Sequence, residues 1–300
     1  MKENGKGNDN NDTNTTVELS ARQFPSRLRE IPDAPKKLYL RGKLPTDDMK
    51  YLCVVGARKY SEYGRHVCEK MIEGLRGLPI VIVSGLALGI DSVAHTTALE
   101  TSLVTIAIPG SGLNNEVLYP ASNRHLAGRI LKSGGAILSE FEPSFKATPW
   151  SFPQRNRIMA GISDAVLVVE AEQKSGTLIT SRLATEYNRD VLTVPGSIFS
   201  INSAGPHMLL KLGAALVTNS SDIISVLGID KLPGMQKTAN PTRDCSEDEK
   251  IILEALKEPM TKDDLIRTLK IPVSKFNATL SILEIKDLIR ETMGMVNRNF

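Results

Sequence analysis

The chain has 300 residues, of which 41% are hydrophobic and 24% charged, with a formal net charge of +3. That is enough chain for about two globular domains, and it excludes collagen-like, coiled-coil and disordered classes for the bulk of the molecule. Residues 1–16 lack the apolar core of a signal peptide, and no later apolar run approaches the roughly 18 residues that span a bilayer, so a cytoplasmic protein with no membrane partner is expected.

In chain order, the Asn-rich residues 1–20 read as a disordered tail and 21–50 as a basic lead-in segment. Residues 21–60 carry ten basic side chains against four acidic ones, a local excess that can attract polyanions or simply form a solvated approach to the next domain. From residue 51, short β-rich apolar runs at 51–57, 79–85, 103–110, 136–140, 164–171, 190–197 and 214–218 alternate with amphipathic helical patterns. The alternation predicts a Rossmann-like, doubly wound α/β domain with a mainly parallel sheet over 51–228. Pro233, Gly234 and Pro241 mark a linker at 229–243. Beyond it, Ser246 and Glu249 have the spacing of a capping box, followed by an apolar face at Ile251, Ile252, Ala255 and Leu256. Two more helical patterns and a strand-like ending give 244–300 the plan of a small C-terminal winged-helix module. Cys53, Cys68 and Cys245 show no CxxC spacing, which disfavours disulfides and zinc and suits small buried side chains.

Each predicted strand ends in glycine, serine or a charged residue, and in an open parallel sheet those ends share one edge. Gly56 and Gly85 permit close backbone approach there, Ser84 ends its strand beside Gly85, and Arg58 supplies a positive fork; together they suit a phosphate, although glycines after strands also serve tight βα turns. The segment WSFPQRNRIMAG sets Trp150 and Phe152 beside Arg155, Asn156 and Arg157, a mixture that can stack bases and neutralise phosphates. Equally, the rings can fill core and the arginines pair with Glu140 or Glu142. Lys174, Ser175, Gly176 and Thr177 precede a helix as in an anion-binding turn, but without GxxxxGK[ST] spacing; GxGxxG is missing as well, so NAD chemistry and generic nucleotide hydrolysis are disfavoured. Asp91 and His95 sit four apart and read as an acid–base or ligand pair, or as a helix-start aspartate supporting a buried histidine. No GxSxG elbow is present.

The stretches VVGARKYSEYGR, VSGLALGIDSVAHTTALE, IAIPGSGLNNEVLYPASNRHLA, WSFPQRNRIMAGISDAVLVVEAEQKSGTLITSRLA and RDVLTVPGSIF resemble, in order, the DNA-processing protein A family (DprA, also called Smf). The segment FPSRLREIPDAPKKLYLRG resembles the family's lead-in and the C-terminal part its winged-helix module. The resemblance implies a homodimer that binds single-stranded DNA and loads the RecA recombinase onto it, in natural transformation where the host is competent, with no cofactor, metal or catalytic residue. It implies Arg58 as a phosphate contact, Phe152 as a base-stacking ring and Lys174 on the DNA path. Gly56, Ser84, Gly85, Arg155 and Asn156 would line the same pocket, with Arg124 on its rim. Ala57 stands where the family often has serine, and Pro206 and His207 where an asparagine is common. The near-neutral winged helix is read as a protein-contact or regulatory element before a DNA reader, and the dimer surface is expected around Met208, Leu209 and Leu210. An enzyme of the lysine-decarboxylase-like group, hydrolysing nucleoside monophosphates, is the alternative; Ile179 and Thr180 occupy the place where its catalytic acid would stand. A transcription regulator acting through the winged helix is a third.

Overall fold

Residues 15–229, 245–256, 258–286, 288–292 and 294–298 are described by the computed structural model of the chain. Most of the expected N-terminal tail and all of the linker but Ile229 lie outside them. The chain divides into two units, one ending at Ile229 and the other formed by the residues after it.

The first unit holds a nine-stranded sheet. Its parallel part runs through β3 (Lys50–Val55), β4 (Ile80–Ser84), β5 (Val104–Ala107), β6 (Ala136–Ser139), β7 (Ala165–Val168), β8 (Asp190–Thr193) and β9 (Ala215–Leu216), the seven runs read from the sequence. β1 (Val17–Ser20) and β2 (Lys37–Gly42) extend one edge antiparallel, giving the order β1-β2-β6-β5-β4-β3-β7-β8-β9. The sequence reading placed residues 17–20 in a disordered tail and 21–50 in a separate lead-in, and both expectations are corrected. Glu18 and Leu19 pair with Tyr39 and Leu38, and Tyr39 with Ser139, while Leu19, Phe24, Leu28, Leu38 and Leu40 enter the main core. Much of the basic strip is spent inside this layer. Arg27 and Lys50 pair with Asp164, Lys37 with Glu142, and Arg41 donates to the Leu113 carbonyl at 2.9 Å.

The central strands are buried on both faces, as parallel strands covered by helices must be. Alternation along β3 sends Tyr51, Cys53 and Val55 to the core shared with α1 (Ser26–Glu30), α5 (Ser151–Ile162) and α6 (Thr177–Glu186). The opposite face is covered by α2 (Glu62–Glu73), α3 (Ile90–Glu100) and α4 (Arg124–Lys132), and α7 (Ala204–Lys211) and α8 (Ser220–Val226) follow β8 and β9. Helix α5 carries Pro153 near its start. Pro153 lies in the first turn, where no intrahelical amide bond is lost. Strand order reverses between β3 and β7, the topological switch point at which open α/β sheets bind ligands.

The second unit comprises α9 (Glu247–Ala255), α10 (Lys262–Leu269) and α11 (Val273–Ile285) with a three-stranded sheet of β10 (Met260–Thr261), β12 (Met295–Arg298) and β11 (Ile289–Thr292). Ser246 caps α9: its hydroxyl accepts from the Glu249 amide, and the Glu249 carboxylate accepts from the Ser246 amide. The buried face of α9 is Ile252, Leu253 and Leu256, packed on Phe276 and Leu283, whereas Ile251 of the expected face is 43% exposed. The three cysteines are free and buried.

Candidate functional site

A crevice of about 480 Å³ opens at the switch point, lined by residues that follow β3, β4 and β7 and by the first turns of α5 and α6. Sequence order explains why these meet. Parallel strands deliver all their C-terminal loops to one edge, and helices that start there point their amide ends at it. Gly56, Arg58, Phe152, Arg155, Asn156 and Lys174 all line this crevice. Gly85 lines a smaller hollow beside it, together with Arg58, Phe152 and Arg155.

The floor is rigid. A β-carbon on Gly56 would lie 2.6 Å from the Ile90 side chain, so only glycine lets α3 close against the end of β3. The Ile90 amide donates to the Ala57 carbonyl (3.2 Å) and the Thr177 hydroxyl to the Gly56 carbonyl (3.1 Å), fastening the β3 loop to both neighbouring helix starts. Arg155 lies beneath, 5% exposed, its guanidinium donating to the carbonyls of Gly85 and Ile108. Its Nε is buried without a partner among the described residues. Asp91 accepts from the amides of Gly85 (3.0 Å) and Ala87 (3.4 Å). Burial pushes its carboxyl above the usual range, against the opposing pull of the Arg155 charge and those amides. Arg155 thus braces the β4 loop from below while lining the floor of the crevice.

The exposed charges are at the mouth. Arg58 and Lys174 are exposed, and the Arg58 guanidinium carbon lies 5.3 Å from the centroid of the half-buried Phe152 ring. Phe152 is backed by Gly110, where a β-carbon would lie 2.6 Å from the ring. The Asn156 amide donates to the Gly176 carbonyl at 3.3 Å, tying α5 to the turn that carries Lys174. A cationic fork, an aromatic face and a lysine therefore converge on one edge, an arrangement that can hold a phosphate and a planar ring at once.

Two expected residues are elsewhere. Ser84 is fully buried and donates to the Val54 carbonyl (2.7 Å), stapling β4 to β3. Arg124 lines neither cavity; its guanidinium donates to the carbonyls of Glu116 (2.7 Å) and Leu118 (3.2 Å). Among the other sequence candidates, Asp91 and His95 serve different neighbours. His95 is wholly buried beside Thr105, with Nδ1 2.7 Å from its hydroxyl, and burial lowers its imidazole to about 3. Glu170 is not paired with Arg155 or Arg157: it accepts from the amide and hydroxyl of Ser61 and from Asn202. Arg157 is spent on Glu140 and on the Asp33 carbonyl. Trp150 is 55% exposed, packed edge-on against Phe141 and Phe145. Leu209, expected at the dimer surface, is 7% exposed and belongs to the main core. The sequence reading missed Glu172 and Tyr119, which line the crevice and the smaller hollow; Glu172 had a signal, two residues before Lys174, whereas Tyr119 arrives from a loop more than thirty residues away. Among the described residues no group of three His, Cys, Asp or Glu is placed to hold a metal, and no helix is long and apolar enough to cross a membrane.

Residues 15–228 match the family model of DNA recombination-mediator protein A, and 236–295 that of the DprA winged-helix domain. Protein Smf of Escherichia coli is 42% identical over 212 residues, 70% of this chain, though the match spans only 56% of Smf itself. DNA processing protein DprA of Streptococcus pneumoniae is 43% identical over 202 residues, covering 67% of this chain and 70% of the relative. The X-ray structure of the S. pneumoniae protein superposes with a TM-score of 0.66 at 41% identity, over 70% of this chain and 74% of that one. A structure of DNA processing protein A from Helicobacter pylori, described for its single-stranded DNA binding mode, gives a TM-score of 0.64 at 31% identity, over 72% and 97% respectively.

Proposed function

The chain belongs to the DNA recombination-mediator protein A family, and from that membership we propose that its crevice binds single-stranded DNA, as a carrier that hands the strand to the RecA recombinase without chemical turnover. The observation that carries the reading is the Arg58–Phe152 pair at the mouth of the crevice. Stacking on the half-buried Phe152 ring needs a base whose faces are free, which an unpaired strand offers and a stacked duplex does not. Arg58 and Lys174 meet phosphate, Phe152 the base, and Gly56 and Asn156 keep the surrounding loops close; Arg155 and Gly85 act from below as a brace.

The carrier reading also fits what the acidic groups do. Glu170, which follows β7 near the crevice, is committed to the start of α2 and to Asn202. A homodimer is part of the proposal, with the surface moved from Leu209 to the exposed Leu212 and Leu216 beside it, 76% and 53% exposed. The second unit is assigned to protein contact or regulation. Among its described residues Lys275 pairs with Asp248, Lys286 with Glu249 and Lys262 with Glu291, so that these lysines are partly offset by acidic partners of the same unit.

The deciding experiment is a titration of labelled single-stranded and duplex oligonucleotides of equal length at two salt concentrations. Preference for the single strand with a strong salt dependence is expected. Equal affinity for duplex would remove the reading, and hydrolysis of nucleoside monophosphates that persists through purification would replace it with the enzyme alternative.

A further inference from the structure

Beside the crevice, on the far side of Phe152, the ring of Tyr119 stands 47% exposed with its centroid 5.6 Å from that of Phe152 and its plane tilted by 50°. The two rings, with Leu88 and Pro120, border a hollow of about 30 Å³, room for roughly one water molecule and far too little for a base to enter. A planar group can only lie across its mouth, against the tyrosine face. Leu88 is itself 50% exposed, so the border offers apolar surface on two sides.

The loop that presents Tyr119 is held more firmly than a surface loop needs to be. The Tyr119 amide donates to the Ser111 hydroxyl at 3.1 Å, and Arg124 spends its guanidinium on the carbonyls of Glu116 and Leu118, immediately before the tyrosine. Its neighbour Asn123 donates to the Leu86 carbonyl (2.8 Å) and the Ser92 hydroxyl (2.8 Å), tying the same loop to the turn after β4. The Tyr119 hydroxyl itself makes no hydrogen bond among the described residues, so the ring is not anchored by its polar end. An aromatic ring fixed by its backbone, half exposed and aligned beside another stacking ring has the form of a platform rather than of core.

We propose that Tyr119 is a second base-stacking surface, for the nucleotide next to the one held at Phe152, and that Arg124 is the positioning residue that fixes it. The inference rests on the single-stranded DNA reading of the crevice and extends it by one nucleotide. Geometry gives it a further property. Rings inclined by 50° cannot take two parallel bases. The two bases must therefore be unstacked from one another to use both rings.

The test uses the full chain with oligothymidylates carrying a single 2-aminopurine at successive positions. In the parent, a pair of adjacent positions changes emission on binding as each base leaves its neighbour for a protein ring. Tyr119→Ala is expected to weaken binding by about 5- to 100-fold and to abolish the change at one of the two positions, whereas Tyr119→Phe keeps both. Arg124→Ala weakens binding in the same direction but leaves the salt slope unchanged, because it contacts no phosphate. Affinity and emission of Tyr119→Ala equal to the parent, with Phe152→Ala weakened, overturn the second subsite and leave the crevice reading intact. Failure of the parent to bind single strands overturns both.

Discussion

Arg58 and Phe152 are coupled before any ligand is considered, because the guanidinium lies over the ring face that a base would use. Under the proposed binding mode a base entering the crevice competes for that face and frees Arg58 to meet a phosphate, so that the two side chains exchange partners. Phe152→Ala is expected to cost about 1–3 kcal/mol of binding free energy, and Arg58→Ala to reduce the salt slope by about 0.7 for the phosphate it no longer neutralises. Their double variant should be non-additive by about 0.5 kcal/mol or more, measured as a mutant cycle in binding; strict additivity would mean that the pair is broken in solution. His95 makes a different prediction. Its folded-state value of about 3 lies below the ordinary 6.5, so the unfolded chain binds the extra proton between those values and stability falls as pH falls through that window. Between pH 7.5 and 5 the parent should lose about 2 kcal/mol relative to His95→Gln, read from denaturation midpoints. Asp91, raised by burial, acts with the opposite sign, which is why the comparison is made against the variant and not between pH values alone.

At the scale of elements, α5 is the part on which the site depends. It brings Phe152, Arg155 and Asn156 to one edge, and it is packed from outside by α1, an element of only five residues (Ser26–Glu30). Leu28 of α1 is wholly buried and reaches the core shared with Ile158 and Ile162. Leu28→Ala is expected to cost about 2–5 kcal/mol of folding stability by removing that packing, measured by chemical denaturation. Loss of single-strand affinity at temperatures where the variant remains folded would follow from a loosened α5. An unchanged midpoint would show that α1 is not part of the folded sheet unit. The lead-in is thus structural. Four of its eight basic residues, Arg27, Lys37, Arg41 and Lys50, serve Asp164, Glu142 and a backbone carbonyl.

For the whole molecule, the sheet has two ends of different character. At one, β1 and β2 cover the edge of β6; at the other, the two-residue β9 ends the sheet, with Leu212 and Leu216 exposed and Ile198, Phe199 and Ile201 exposed in the loop after β8. This exposed apolar edge is where the proposed homodimer surface is placed. Leu216→Glu should yield a monomer by light scattering while the monomer keeps the crevice and its single-strand preference. A dimer that persists in that variant would place the interface on another face.

The strand runs, the helix patterns and the switch-point edge were legible in the sequence because they are local. A β-strand buried on both faces must be an unbroken apolar run, and βα turns use glycine and small polar residues, so β3 to β9 and the Gly56–Arg58 loop at the sheet edge could be read from local pattern, whereas Phe152 and Lys174 were pointed to by the family resemblance. What the sequence could not disclose is pairing over distance. Residues 17–20 and 37–42 carry a mixed pattern that becomes strand only because the edge of β6 accepts β2 and β2 accepts β1, as the Tyr39–Ser139 register shows. Ser84 and Arg124 looked like ligand contacts by type and position, but each spends its donors on backbone carbonyls that only the folded chain brings near, Val54 for Ser84 and Glu116 and Leu118 for Arg124. The same holds in reverse for Tyr119, an unremarkable loop residue until folding sets its ring 5.6 Å from Phe152. Local pattern determines which elements form; the partners available to each buried donor, charge and ring are decided by tertiary structure, because a desolvated polar group must take whatever acceptor the fold delivers.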